Sequence, residues 1–217
     1  AEKLNNTNIA ELAWSAALKT QSDKQIIEAT KIWTSMDPEA HIANNTLLLK
    51  STQNQRGNEV QQLLNEFIAK NSKDPGSYVA TLTRRLSQER IDLNWLEPYL
   101  DPIWEKYASA PSVVMAKAVY KKRQGEDKEA CRAALSVLPG NGLVFRQKDL
   151  SWFSDNEDFA TTAADICWSV MPEKSQRILE TVIDSDPSST VARLMYGKIL
   201  ARSGHADLAL EQIHEAI

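Results

Sequence analysis

Apolar and polar residues alternate along this chain with the three-to-four-residue spacing of amphipathic helices. The stretch YGKILARSGHADLAL, residues 196–210, shows two such runs meeting at Gly204, with small residues at Gly197 and Ala209 on either side. Strand-like runs of alternating Val, Thr and Tyr are absent, and Ala, Leu, Glu, Lys, Gln and Ile dominate the composition, which favours helix. The pattern therefore predicts an all-α fold.

Glycines separate pairs of helix-like runs at related spacings. Gly57 and Gly125 are 68 residues apart, which is two steps of 34, and Gly125 and Gly204 are 79 apart, which is 11 more. Steps of 34 from these glycines reach further breaks at Asp23, Ile91 and Val170. A fixed period of this length is typical of repeat proteins. The spacing predicts six helical hairpins, with an insertion near 139–153.

Prolines mark the places where new helices begin, because proline lacks the N–H that the first helical turn leaves unpaired. They lie at Pro38, Pro75, Pro111 and Pro187. The predicted helices are 8–20, 22–36, 38–55, 58–71, 75–89, 92–107, 111–124, 126–138, 155–169, 172–184, 188–202 and 205–217. A short extra helix is expected near 146–153, and Pro98 and Pro102 predict a kink or a break in helix 92–107. We expect one domain over residues 1–217.

The last hairpin resembles the 34-residue tetratricopeptide repeat, whose pattern is W-x2-L-G-x2-Y, then A-x3-F, then P. The matching residues here are Tyr196, Gly197, Leu200, Ala209 and Ile213. The segment APSVVMAKAVYKKRQGEDKEACRAALSVL has its small residues at Ala118, Gly125, Ala130 and Ala134. The resemblance implies an α-solenoid of about six hairpins in a right-handed superhelix. Within each hairpin the small residues let two helices approach closely, and the glycine permits the tight turn.

Candidate partner-binding residues follow from the same resemblance, because the first helix of each tetratricopeptide hairpin lines the concave face. Register with the family places there Asn44, Leu47, Met115, Val119, Lys122, Leu194 and Lys198. Such an apolar and basic groove suits an extended peptide or an acidic chain end. The Lys, Asn and Arg clamp of chaperone-binding family members is not recognisable.

Tryptophans are the other candidate contacts, since Trp is a favoured interface anchor. Four of them lie within apolar runs and are expected in the core: Trp14, Trp33, Trp104 and Trp168. Trp152 lies beside Phe153 in the inserted segment KDLSWFSDNED. Core packing is the favoured place for this pair too, but it is the aromatic pair most suited to contact a partner.

No motif with catalytic chemistry is present. The histidines have no ligand spacing, LPGNG at 138–142 lacks the GxGxxG pattern, and no serine lies in GxSxG. We therefore expect no catalytic residues, metal or cofactor. The net charge of −4 argues against a nucleic-acid partner. No apolar run approaches the ~20 residues that a membrane span needs.

Cys131 and Cys167 are the only cysteines, and they lack CxxC spacing. They are predicted near the start of helix 126–138 and near the end of helix 155–169. Adjacent antiparallel helices bring such ends together, so a disulfide is geometrically possible if the Cα atoms come within ~7 Å. We expect two buried thiols, with the disulfide as the alternative.

Two classes of function fit these observations. The first is a non-enzymatic scaffold or adaptor that binds a protein or peptide partner. The second is a helical accessory domain of a peptidoglycan- or glycan-processing enzyme whose catalytic part lies outside this chain. The chain ends in LEQIHEAI, and Leu208, Ile213 and Ile217 are expected to face a neighbour. We therefore expect a fragment of a longer array, or end-to-end stacking with a second copy.

Residues 9–70 carry a narrower resemblance, to proteobacterial tetratricopeptide lipoproteins that hold C-terminal processing peptidases in the periplasm. Its features are the Ala-rich segment 9–18, Ala29 with Trp33, and Asp37-Pro38. The resemblance implies a periplasmic adaptor, membrane-anchored in the full-length protein. The lipidated Cys of that family is not present at the start of this chain, and a cytoplasmic location is the alternative.

Overall fold

The computed structural model describes residues 2–70, 94–142 and 149–217, and within these residues all regular structure is helical. This confirms the all-α prediction. The chain divides into two compact units, Ala1–Ala110 and Pro111–Ile217, where the sequence predicts one domain. Each unit is described by itself.

The described helices of the first unit are α1 (Glu2–Lys19), α2 (Asp23–Met36), α3 (His41–Gln53), α4 (Gly57–Lys70) and α5 (Glu97–Lys106). Among them, α1 packs on α2, α2 on α3, α3 on α4 and α4 on α5. A 3-10 turn at Asn94–Leu96 precedes α5, so the predicted helix 92–107 is divided there, with Pro98 in the first turn of α5 and Pro102 inside it. The predicted helix 75–89 lies outside the described residues.

The second unit consists of helical hairpins that pack on one another in sequence order. Its helices are α6 (Pro111–Arg123), α7 (Asp127–Val137), α8 (Leu150–Asp155), α9 (Glu157–Cys167), α10 (Pro172–Ser185), α11 (Thr190–Arg202) and α12 (Ala206–Glu215). The pairs α6–α7, α9–α10 and α11–α12 form the hairpins. Both helices of the first pair contact α9, and both helices of the second contact α11. The first helix of each later hairpin therefore packs on the hairpin before it.

The inserted segment lies between α7 and α9. It contains a 3-10 turn at Pro139–Gly142 and the six-residue α8, which contacts α9 and α10. The extra helix predicted near 146–153 is thus observed a few residues later, and residues 143–148 lie outside the described part of the chain.

Turns inside the hairpins share one backbone geometry. Gly125 and Gly204 have φ values of +81° and +83°, the left-handed region in which glycine carries no Cβ penalty. In each case the next N–H donates back to a carbonyl five residues earlier: Glu126 to Lys121 at 3.0 Å and His205 to Leu200 at 2.9 Å. This is the bond pattern of a Schellman motif, which satisfies carbonyls at the end of the first helix.

The α3–α4 turn has the same pattern with a different residue at its centre. Gln55, and not the predicted Gly57, holds the positive φ, at +53°, and Arg56 N–H donates to Ser51 O at 2.9 Å. Gly57 is instead the first residue of α4, and a Cβ there would overlap the ring of Tyr99. The glycine at this position therefore serves helix packing rather than the turn.

Aspartates close the helices that end before Pro38 and Pro187. The N–H of Asp37 donates to Trp33 O at 2.8 Å, and that of Asp186 donates to Val182 O at 2.9 Å. Each carboxylate then accepts the N–H two residues on, from Glu39 at 3.1 Å and from Ser188 at 3.0 Å. The Ser188 hydroxyl and N–H also hold the pKa of Asp186 below its usual value.

The carbonyl oxygens of these two prolines are capped in the same way. The carbonyl oxygen of Pro38 accepts a hydrogen bond from Nδ2 of Asn44 at 2.9 Å, and that of Pro187 accepts one from Nε of Arg193 at 3.2 Å. The donor is the sixth residue after the proline in both units. The two connections, 149 residues apart, therefore use one design.

Small residues bring the helices of a hairpin together, as the sequence predicts. A Cβ added at Gly197 would lie 3.0 Å from Ile213 Cγ1 and 3.1 Å from Ala209 O, so α11 and α12 meet there in close contact. The corresponding Ala118 and Ala130 of α6 and α7 are fully buried.

Tryptophans occupy the core positions expected of them. Trp33 and Trp104 are buried, while Trp14 and Trp168 are half-buried and pack against buried clusters. The rings of Trp14 and Trp33 lie 5.0 Å apart between centroids.

Candidate partner-binding surface

Burial corrects the placement of three candidate contact residues. Asn44, Leu47 and Met115 are all buried, with at most 6% of their surface exposed, so none of them lines an open groove. Asn44 caps the carbonyl of Pro38, which is a structural role. Met115 belongs to the buried cluster of the second unit, together with the alanines of α9.

Val119 and Trp152 are also engaged in packing. Both are half-buried and lie against the same cluster of the second unit. Trp152 contacts Phe153 edge to face, with ring centroids 5.3 Å apart, and Phe153 is fully buried. The inserted segment thus uses its aromatic pair to pack α8, which agrees with the favoured core placement.

Lys122 takes part in a polar link between the α6–α7 turn and the end of α9. Its ammonium lies 3.1 Å from the Asp127 carboxylate and donates to the Ser169 hydroxyl at 2.5 Å, and that hydroxyl donates to Asp127 at 2.8 Å. The Ser169 hydroxyl and the Lys122 ammonium hold the pKa of Asp127 below its usual value. The charge of Lys122 is therefore compensated locally.

Leu194 and Lys198 are the two candidates that lie on the surface. Leu194 is 46% exposed, and Lys198 extends from the same face of α11 to Asp165 Oδ1 of α9 at 3.1 Å. Arg202 reaches the same oxygen at 3.7 Å, and Val191, which is 50% exposed, lies one turn before Leu194.

These exposed residues of α11 form a single stripe, which we call the α11 strip: Val191, Leu194, Lys198 and Arg202. Their spacing of three and then four residues keeps them on one helix face. Two cations share one carboxylate, so the strip keeps an excess positive charge beside two exposed apolar side chains. On this face of α11, two exposed apolar side chains therefore lie beside two basic ones.

The contact residues predicted from the sequence did not include Val191 and Arg202. Helical spacing could have identified them, because Val191 lies three residues before Leu194 and Arg202 lies four residues after Lys198. The wrong assignment at Met115 came from applying the same register to α6, which α9 covers.

Titratable groups elsewhere in the second unit also have structural roles. Burial and the nearby Glu180 carboxylate raise the pKa of Tyr196 to about 12, and its hydroxyl donates to Glu180 at 2.9 Å. The phenol thus stays protonated at neutral pH and acts as a donor between α10 and α11. Within residues 2–70, 94–142 and 149–217, no group of three His, Cys, Asp or Glu side chains is placed to hold a metal ion.

Cys131 and Cys167 form a disulfide, which corrects the expectation of two thiols. Their Cα atoms are 4.6 Å apart. Cys131 lies in the first half of α7 and Cys167 is the last residue of α9, the antiparallel arrangement expected for neighbouring helices. The bridge joins two hairpins across the inserted segment.

No protein-family model matches the chain, and no curated protein matches it in sequence. In the part of the chain that the structure describes, every helix is too short or too polar to cross a lipid bilayer.

Proposed function

We propose that this chain is a non-enzymatic adaptor, a solenoid of tetratricopeptide-like hairpins that binds an acidic segment of a protein partner. The solenoid arrangement is supported by the shared turns at Gln55, Gly125 and Gly204 and by the two matching Asp-Pro connections. It is also supported by the way each later hairpin of the second unit packs on the one before it. Stacked hairpins of this kind make extended surfaces for partners.

The α11 strip is the observation that carries the binding proposal. Covering Val191 and Leu194 would contribute about 25 cal/mol for each Å² of apolar surface removed from water. Lys198 and Arg202 share Asp165, so one positive charge is left to meet an acidic group. Such charges speed and orient encounter with an acidic partner more than they add affinity.

The compartment we propose is the periplasm, with a peptidase as one candidate partner. The disulfide supports this, because such bonds persist in oxidising compartments and are rare where thiols are kept reduced. An adaptor needs no chemistry of its own, which fits a surface built from packing and ion pairs.

A peptide array that varies acidic and apolar content tests the proposal. Peptides that bind should be acidic, and fluorescence anisotropy should show weaker binding at higher salt because exposed charges are screened. Val191→Asp should weaken binding at least tenfold, since it places a carboxylate against an acidic ligand. Lys198→Ala with Arg202→Ala should reduce the salt dependence.

Leu208→Asp is the matched control, because Leu208 is also 50% exposed but lies on α12. Its affinity for the same peptides should equal that of the unaltered chain. Binders without acidic preference, or equal binding by Val191→Asp, would show that the α11 strip is not the binding surface.

A further inference from the structure

We propose that reduction of the disulfide converts its two cysteines, together with Met171, into a binding site for copper(I). The three sulfur atoms belong to Cys131 on α7, Cys167 at the end of α9 and Met171 in the turn between α9 and α10. We call these three residues the sulfur site. It shares no residue with the α11 strip, so the proposal goes beyond the proposed function and does not rest on it.

The thioether of Met171 lies beside the disulfide. Its Sδ is 3.9 Å from Sγ of Cys131. Bonds from a metal to sulfur are about 2.3 Å long, so two sulfurs at this separation can share one ion with an angle of about 115° between the bonds, close to trigonal. The Cα atoms of Cys131 and Cys167 are 4.6 Å apart, so the third sulfur stays within reach of the same ion once the S–S bond is broken.

Hydrogen bonds fix the backbone that carries the thioether. The N–H of Met171 donates to Cys167 O at 2.7 Å. Its carbonyl accepts the N–H groups of Lys174 and Ser175, both at 3.1 Å, at the start of α10. None of these bonds involves the disulfide, so Met171 should keep its place beside the cysteines in the reduced protein.

The donor atoms decide which metal the sulfur site suits. Thiolate and thioether sulfurs are soft ligands, which favour copper(I). Structural zinc takes four Cys, His or carboxylate ligands, and iron–sulfur clusters are typically held by four cysteines. Among the residues whose structure is described, no third His, Cys, Asp or Glu side chain is placed to complete such a set with the two cysteines. A third ligand that is a thioether therefore fits copper(I) better than zinc.

Solvent exposure gives the ion a way into the sulfur site. Cys131 and Cys167 are at most 2% exposed, whereas Met171 is 43% exposed. The site thus lies at the edge of the core, with two buried sulfurs and one side chain that reaches the surface. Methionine has three rotatable bonds and a polarizable sulfur, so it can bind an ion at the surface and pass it to the cysteines.

The disulfide and the ion use the same sulfur atoms, so they exclude one another. A dithiol reductant transfers two electrons and two protons to the Cys131–Cys167 bond, which opens to two thiols while the reductant closes its own disulfide. Copper(I) then replaces the two thiol protons, which leave to solvent, and accepts an electron pair from each sulfur. The oxidation state of copper does not change. The oxidised chain should bind no copper(I) at this site.

Competition with the copper(I) chelator bicinchoninate tests the proposal. The full chain is reduced with dithiothreitol in urea, refolded, and freed of reductant in the absence of oxygen. We expect the reduced chain to take one equivalent of copper(I) from the coloured chelate and the oxidised chain to take none. Because an ion that prefers the folded chain stabilises it, one equivalent should also raise the urea denaturation midpoint of the reduced protein.

Met171→Leu isolates the contribution of the thioether, because leucine keeps a similar side-chain volume and removes the sulfur. The affinity of this variant for copper(I) should fall about tenfold or more, as loss of a ligand costs at least what loss of its supporting contacts does. Met36→Leu is the matched control, since Met36 is 38% exposed and lies on α2. Its affinity should equal that of the unaltered chain, and circular dichroism should show equal helix content in both variants.

Any of four results overturns the proposal. A reduced chain that takes no copper(I) from the chelate has no such site, and a Met171→Leu variant that binds as tightly as the unaltered chain shows that the thioether is not a ligand. An unchanged urea midpoint shows that the ion binds the unfolded thiols equally well. Uptake by the Cys131→Ala, Cys167→Ala double variant places the ion elsewhere.

Discussion

Reduction of the Cys131–Cys167 disulfide should lower the free energy of unfolding of the second unit by about 4 kcal/mol. A disulfide stabilises chiefly by restricting the unfolded chain, and the effect grows with the length of chain that it closes. For the 36-residue separation here, the chain-entropy relation gives about 4 kcal/mol at 25 °C. This is a large share of the roughly 5–15 kcal/mol by which domains are stable.

The folded structure should survive reduction, because both cysteines lie in the core. Cys131 and Cys167 are at most 2% exposed, and the side chains around them belong to one buried cluster. Two thiols behave there as small apolar groups. The loss of stability should thus appear as a lower denaturation midpoint with unchanged helix content.

Urea denaturation with and without reductant, followed by circular dichroism, measures the effect. The Cys131→Ala, Cys167→Ala double variant is the control, since its midpoint should not respond to reductant. Titration of the unfolded, unreduced protein should detect no thiol. Two titratable thiols in that sample, or equal midpoints with and without reductant, would refute the reasoning.

Two further predictions concern the hairpins of the second unit. Gly197→Val should lower the free energy of unfolding of the second unit by about 1–3 kcal/mol, as overpacking does, because even a Cβ at this position lies 3.0 Å from Ile213 Cγ1. Urea denaturation should show that adding Ile213→Ala restores part of the lost stability. A double variant no more stable than Gly197→Val would show that the contact with Ile213 is not the cause. The lowered pKa of Asp127 implies a stabilisation that is complete above pH 3.8, the ordinary value for an aspartate, and lost as pH falls below it through the folded-state value. In the Asp127→Asn variant, the free energy of unfolding should therefore fall less steeply as the pH is lowered through this range. An equally steep fall in the variant would show that the link to Ser169 and Lys122 contributes nothing to stability.

Helix positions could be predicted from the sequence because helix breaks are local. Proline at the start of a helix and aspartate before it act on backbone groups only a few residues away. Pro111, Pro172 and Pro187 each lie within a few residues of a helix start. The residue that takes the positive φ is harder to predict. At the α3–α4 turn Gln55 takes it while Gly57 is held by Tyr99 of α5, a contact between segments about 40 residues apart that no local pattern reveals.

Exposure could not be predicted, because it depends on what covers a helix. Met115 and Leu194 hold the same register position, and the sequence treats them as equivalent surface residues. The structure buries the first under α9 and leaves the second open. Periodicity identifies the apolar face of a hairpin, but only the packing of the next hairpin decides whether that face is core or surface.

The inserted segment shows how stacking register can survive an irregular connection. At two other connections, Asp37-Pro38 and Asp186-Pro187, an Asp-Pro turn with a capped proline carbonyl lies just before the new helix. Between α7 and α9 the insertion replaces that short connection, which is why the offset between glycines is 79 rather than 68 residues. Here the disulfide ties α7 to α9 directly, and Phe153 of α8 fills the core beside them. The covalent bond thus holds α9 on α7 at a junction that has no Asp-Pro turn, so reducing it should loosen α9 from α7 before it affects either hairpin.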